Sequence, residues 1–289
     1  MTPSVSPIRR RSWGREWQLV LPITLFFAVF VFAPLGLLAL VSLHNDQDIK
    51  QPGYLQYVKF VTDRFNLAVL GQTLWIGTKA TLLALAIGYP LAYLHTLASR
   101  RVQRVLMMLI VLPLLTSAVV RTFAWVVILG RQGIVNTVLT SFGIIETPIK
   151  LLYTPGAVVV ALAQIQLPLM VLPIITALGN IDPNLRPASH ALGAGRWRTF
   201  FEITLPLSAP GLLAGCLLVY AGSVSAFVTQ TLVGGGQLIL MPFYMYQQAI
   251  QANNYPFAAA VAMILLVAVL VIVTLMNLLG RRSRGFVHA

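Results

Sequence analysis

Charge is what this chain of 289 residues lacks most. Asp, Glu, Lys and Arg make up 9% of it, where a soluble domain needs roughly a quarter to cover its surface. Apolar residues reach 58%, and the mean hydropathy is +0.83. These values exclude a soluble globular protein and place the chain in a membrane. Cysteine is reduced to Cys216 alone, which excludes an internal disulfide and a cysteine-built metal cage. Acid is scarce as well: 7 Asp plus Glu stand against 20 Lys plus Arg, and the location of that excess decides its meaning.

Crossing about 30 Å of hydrocarbon takes roughly 20 apolar residues. Such runs occur near Leu19–Leu43, Leu74–Leu97, Val105–Leu129, Ala157–Leu178, Gly211–Val233 and Phe257–Leu279, predicting an all-α integral membrane fold of six transmembrane helices. Proline and glycine interrupt most of them, which membrane helices tolerate. The first run follows an Arg-rich start but is too long for a signal peptide's apolar region, and no small-residue cleavage site follows it, so it is expected to remain as a helix. The expected organisation is a basic tail at 1–18, a membrane domain at 19–280 and a second tail at 281–289. Outer segments then fall at 44–66, 130–156 and 234–256, the last without a charge, and inner segments at 98–104 and 179–208.

With the N-terminus inside, thirteen of the 20 basic residues lie in inner segments, among them Arg9, Arg10, Arg11, Arg100, Arg101, Arg104, Arg186, Arg196, Arg198, Arg281, Arg282 and Arg284. Five (Lys50, Lys59, Arg64, Arg131 and Lys150) lie outside, and Lys79 and Arg121 fall within spans. The positive-inside rule then predicts both termini in the cytoplasm. The basic balance is topology rather than a nucleic-acid surface, because no aromatic stacking platform accompanies it.

The spans contain no Asp or Glu, the residues an ion-coupled carrier or membrane enzyme would be expected to bury. His44, His95, His190 and His288 share no ligand spacing, so no metal site and no catalytic residue is expected. The stretch GQTLWIGTK at 71–79 fails as a phosphate loop: Gly77 is not followed directly by Lys, and the stretch enters a span. No cofactor is expected on this chain.

The inner segment DPNLRPASHALGAGRWRTFFEITLP, Asp182 to Pro206, is richer than a connection requires. Ala188, Ala191, Leu192 and Gly195 fall at i, i+3, i+4 and i+7, forming a small-residue stripe on a predicted short helix. Arg196, Trp197, Arg198, Phe200 and Phe201 follow. Such a helix suits a groove on a soluble partner, or lies on lipid headgroups.

This loop resembles the EAA loop of bacterial ABC importer permeases, in which Glu-Ala-Ala, three residues, Gly, nine residues and Ile-x-Leu-Pro recur. Here Ala188 takes the first alanine position, and Gly193 is followed after nine residues by Ile203, then Leu205 and Pro206. Pro187 and Ser189 replace the usual Glu and second Ala; the loss of the carboxylate removes any salt bridge that the motif glutamate makes. Because proline is favoured at a helix's first position, the short helix is expected to start afresh at Pro187. The resemblance covers nearly the whole chain and is nearest to spermidine/putrescine-type permeases, through GYPLAYLH at 88–95, LPLLTSAVVRTFAW at 112–125, GIIETPIKLLYTP at 143–155, IQLPLMVLPI at 165–174, AGCLLVYAGSVSAFVTQTLVGG at 214–235 and YPFAAA at 255–260.

That resemblance implies a permease subunit that forms half of a solute pathway. Pro187, Ala188, Ser189, Leu192, Gly193, Ile203, Leu205 and Pro206 would belong to the loop that couples it to an ATP-binding cassette subunit. The implied partners are two copies of that ATPase, which would hold ATP and Mg, a second permease favoured by the family to be a paralogue, and a periplasmic solute-binding protein. Membrane lipid surrounds them.

Within the fifth run, Gly211, Gly215, Gly222 and Ala226 share a helix face, suited either to packing inside this bundle or to a subunit interface. Arg121, Trp125, Gln164, Ser223, Ser225, Phe227 and Thr229 are pathway candidates, although the hydroxyls and amide equally suit bonds to backbone carbonyls. Lys79 and Arg121 either snorkel to an interface or face a wet or paired site. With no acid in the spans, electrostatics suits a neutral, zwitterionic or anionic solute as well as a polyamine, leaving amino-acid derivatives, opines and phosphonates as alternatives. A carrier or channel working without ATP is the rival class, and it leaves the inner motif without a purpose.

Overall fold

A computed structural model describes residues 13–45 and 50–284. The tail expected at 1–18 is described only from residue 13, where α1 (Trp13–Ser42) already begins, and the tail at 281–289 only to residue 284, inside α13 (Tyr255–Arg284). Arg9, Arg10, Arg11 and His288 lie outside the described residues. Among those described, the chain is helical, and its only β contact is an isolated bridge between His44 and Pro52. Six stretches are long and apolar enough to cross a membrane: Leu21–Ser42, Arg64–Leu97, Ala118–Ser141, Pro155–Gly179, Arg196–Val224 and Tyr255–Leu278.

The centre of the bundle is a triad of α3 (Arg64–Leu97), α7 (Pro155–Gly179) and α10 (Leu205–Val224). Helix α7 is apolar on every side, the pattern of a helix enclosed by others. Of its most apolar window 56% is buried, against 0% for that of α1. Met170, Val171 and Ile174 are fully enclosed. Lipid supplies no hydrophobic force between helices, so close backbone approach must supply the attraction. Gly88 of α3 lies on Met170 and Val171. On α10, Gly211 meets the backbone at Pro173, Gly215 meets Met170, and Gly222 meets the Gln166 amide. These three glycines face α7 of the same chain rather than another subunit. Ala226 does not share their face, because it falls at the break that ends α10.

Two crossings are broken rods. The third run, expected as one helix at Val105–Leu129, is α4 (Arg100–Val111), a 3₁₀ turn at Leu112–Leu115 and α5 (Ala118–Leu129). Pro113 removes a helical donor, and the Ser117 hydroxyl accepts from Val119 N at 3.3 Å to start the next helix. Each 12-residue piece is about 18 Å long, too short to cross alone. The apolar stretch continues through the turn at Gly130–Gly133 into α6 (Ile134–Ser141), which the earlier boundary omitted. The fifth run, Gly211–Val233, is likewise α10 and α11 (Phe227–Gly234). Gln230 Nε2 donates to the carbonyls of Ser223 at 2.8 Å and Val224 at 3.3 Å, covering backbone acceptors that the break would leave bare in hydrocarbon.

The charge-free segment 234–256 is more than a loop. Gly235 and Gly236 turn the chain at φ +63° and +69°, and a side chain at Gly235 would strike the Tyr153 ring. The chain then forms α12 (Met241–Tyr246) and a π turn at Gln247–Gln251. Met241 and Tyr244 pack with Val69, Phe257 and Phe60 of α2 (Leu55–Thr62). Met241 N donates to Thr73 Oγ1 at 2.9 Å, and the Tyr244 hydroxyl donates to Asn66 Oδ1 at 2.7 Å. Burial, reinforced by the Asp63 carboxylate, pushes the Tyr244 phenol above its ordinary pKa, so it keeps the proton it donates. Leu240, Met241, Pro242 and Tyr244 of this segment are thus buried in the core, while Tyr246, Ile250 and Tyr255 stay exposed.

Candidate coupling loop and pathway residues

The loop expected at 179–208 is a helix–turn–helix rather than one striped helix. Helix α8 runs Leu185–Ala191, two residues earlier than the expected start at Pro187. The reason is that the whole first turn of a helix has free N–H groups. Pro187, third in α8, therefore loses no bond, and the first helical bond is Ala188 N to Asn184 O at 3.0 Å. Leu192 is the C-cap, and Gly193 follows at φ +83°. Gly193 N donates to His190 O and Ala194 N to Ser189 O, both at 3.0 Å, the paired bonds of a Schellman ending. The motif glycine is thus required by backbone conformation; space around it is open. Gly195 caps the next helix, α9 (Arg196–Thr199), so it leaves the stripe formed by Ala188 and Ala191.

Ser189 and Thr199 join the two short helices by a buried hydroxyl pair at 2.9 Å. The substituted alanine position therefore carries a bond of about 1 kcal/mol that alanine could not make. From α9 the chain continues through a π turn at Phe200–Thr204 straight into α10, so Ile203, Leu205 and Pro206 lie on one helical path from the loop into the bundle centre. Phe200 packs edge-on against Tyr93 at 5.3 Å and Tyr89 at 5.9 Å, and the Arg186 guanidinium sits 5.3 Å from the Tyr93 ring centroid. Tyr89 and Ser208 hydroxyls meet at 2.9 Å. The loop is clamped to α3 and α10 on one side. On the other, Leu192 is 89% and Trp197 77% exposed, the Trp197 ring stacked on Phe201 at 6.2 Å and otherwise open.

The pathway candidates divide into two groups. Arg121 Nη1 donates to Ile165 O at 2.9 Å, beside the Gln164 carbonyl that Pro168 deprives of its helical donor. Trp125 Nε1 donates to Gln164 Oε1 at 3.0 Å, on an exposed face of α7. Thr229 meets Thr122 at 2.9 Å; because Thr122 donates to Ala118 O at 2.8 Å, Thr229 is the donor between them. Ser225 bonds back to Ala221 O at 2.8 Å and with Phe227 lines a separate apolar groove of about 800 Å³ between α1, α12 and α13. The Ser223 hydroxyl is buried without a partner among the described residues. Lys79 Nζ lies over the Trp75 ring, 5.1 Å from its centroid and one turn nearer the start of α3. Thr122 was not singled out by sequence, and a threonine bonding its own helix leaves no pattern. The break at Ser225–Ala226 did have a signal, the Gly222, Ser223 and Ser225 cluster.

A six-crossing helical bundle with interrupted spans and a clamped, outward-facing apolar loop defines a multi-pass membrane transport subunit. Residues 84–285, more than half of the chain, match the family described as "Binding-protein-dependent transport system inner membrane component". The chain belongs to that family, and it is an inner-membrane permease subunit of a binding-protein-dependent ABC importer, a system in which a separate subunit hydrolyses ATP. It is similar to the spermidine/putrescine transport system permease protein PotB of Haemophilus influenzae, 35% identical over 70% of this chain and 71% of that one. The PotB of Escherichia coli is 31% identical over 86% of this chain and 91% of its own length. The fold matches a chain of a bacterial ABC transporter involved in the import of the acidic polysaccharide alginate, with a TM-score of 0.76 and 21% identity over 93% of this chain and 96% of that one.

Proposed function

We propose that this permease forms half of a polyamine pathway, passing spermidine, putrescine or a related small amine. The observation that supports the substrate class is the likeness to two permeases named for spermidine and putrescine along most of their length. The chain binds no cofactor of its own; ATP and Mg sit on two copies of the ATPase, docked against Leu192, Trp197 and α8. A paralogous permease completes the pore, and a periplasmic protein delivers solute to the outer segments. Both termini face the cytoplasm. The basic bias of the inner segments supports this.

The test is uptake of labelled putrescine and spermidine by cells lacking this permease, with and without the restored gene. Restored uptake of either, competed by the other, supports the proposal; unchanged polyamine uptake in both strains overturns it. Arg121 favours a second reading, an anionic or zwitterionic solute such as an amino-acid derivative, because its guanidinium lies at the α5–α7 face, and the two crossings that form that face, Ala118–Ser141 and Pro155–Gly179, contain no carboxylate. Arg121→Glu separates the two: polyamine uptake is retained or rises under the first, and uptake of an anion falls by at least tenfold under the second.

A further inference from the structure

The inner end of the bundle carries a polar pocket that the coupling reading does not use. Two chambers, about 400 and 610 Å³, share His95 and Gln103 as walls. Arg186 and Asp182 line the first, Arg100 and Arg104 the second. Arg100, Arg101 and Arg104 all fall in the first two turns of α4, where a helix presents free N–H groups and prefers negative charge, and Arg100 and Arg104 reach the chamber. Ser99 makes no side-chain cap there. No carboxylate of the described residues pairs with these arginines; Asp182 accepts Asn184 N at 2.9 Å in its own turn. An independent feature is His95, 9% exposed, whose Nδ1 is buried without a hydrogen-bond partner.

The second chamber continues along α4 onto its apolar surface. It shares Arg104 and Met107 with an apolar groove of about 450 Å³ that runs past Met108 and Val111 to Leu115. Met108 and Leu115 are exposed, as they must be for an acyl chain to lie on them. A basic head chamber joined to an apolar trough fits an amphiphile with a negatively charged head.

We propose that this is a binding site for an anionic phospholipid of the inner leaflet, with its phosphate between Arg100, Arg104, Gln103 and His95 and an acyl chain along Met107–Leu115. Because Arg186 and Asp182 of the coupling loop wall the adjoining chamber, the lipid braces that loop against the ends of α3 and α7. The proposal rests on the loop lying at the cytoplasmic leaflet.

The test is native mass spectrometry of the assembled importer, delipidated in mild detergent and supplied with phosphatidylglycerol or phosphatidylcholine of identical chains. Adducts are counted on this subunit after it is released in the gas phase. The expected result is one phosphatidylglycerol adduct held at least tenfold more tightly than phosphatidylcholine. Arg100→Gln with Arg104→Gln should weaken it by roughly tenfold or more, since each basic side chain beside an anionic leaflet contributes about fivefold. Arg131→Gln should leave it unchanged. Unaltered helix content and subunit composition in the double variant exclude misfolding.

Equal binding of the two lipids, or an adduct indifferent to the double substitution, overturns the proposal. So does displacement by inorganic phosphate alone, which would mark a soluble-anion site, or an adduct seen only when the ATPase is stripped away, which would mark the arginines as its dock. The readout requires neither transport nor orientation, so the failure of the polyamine proposal would leave it standing. Orientation is checked separately by aqueous labelling of Leu192→Cys in right-side-out and inverted vesicles.

Discussion

At Gly193 one backbone angle decides whether the coupling loop keeps its shape. A Cβ meets nothing there, so the cost of Gly193→Ala is conformational, about 1–2 kcal/mol for holding alanine at φ +83°. Fraying of the Schellman turn frees α8 from α9, and solute uptake is expected to fall several-fold while the amount of assembled subunit in membranes holds; unchanged uptake would show that the turn is dispensable. Gly215 fails for the opposite reason, since an added Cβ would stand 2.9 Å from both the Met170 carbonyl oxygen and its sulfur. Gly215→Val should force α10 off α7, cost about 1–3 kcal/mol, and appear as reduced membrane abundance and a lower melting temperature. Normal abundance and stability would contradict the packing described. A shared amino acid thus carries two different arguments, one angular and one steric.

Among the elements, the continuous path α9–π turn–α10 carries the consequence. A movement applied at Trp197 travels through continuous helical chain as far as Gly211, and Phe200 wedges that path against Tyr89 and Tyr93 of α3. Phe200→Ala is expected to leave the subunits assembled and ATP hydrolysed while transport per ATP falls by several-fold, measured in proteoliposomes. Loss of hydrolysis in the same proportion as transport would place Phe200 in assembly rather than transmission. Most of this element was legible in advance. The loop's position, its helical content and its fixed motif spacing are properties of local sequence. Its course was not, because proline is tolerated at any position of a helix's first turn and so does not fix where the helix starts. The breaks in the third and fifth crossings were missed for a related reason: hydropathy averages over a run, whereas Pro113 and the Ser225–Ala226 junction act on single hydrogen bonds. Pairings such as Thr122–Thr229 and Arg121–Ile165 join residues far apart in the chain, and no periodicity announces them.

For the whole molecule, scarcity of charge established the membrane and its distribution suggested the orientation, while the third dimension supplied which helix lies at the centre. A helix such as α1, with 0% of its span window buried, reads in hydropathy much as the enclosed α7 does. What the complete architecture presents to a partner is the far side of the coupling loop, where Leu192 and Trp197 project. The central claim is that this surface docks the ATP-binding subunit. The lone Cys216 is buried, so Cys216→Ser gives a background in which a single probe can be placed. Leu192→Cys in that background, treated with a short thiol-to-amine cross-linker in the assembled importer, should yield one product of this chain joined to the ATPase, changing in yield when ATP replaces no nucleotide. A cross-link only to lipid or to the second permease, with the ATPase present and active, would contradict the account.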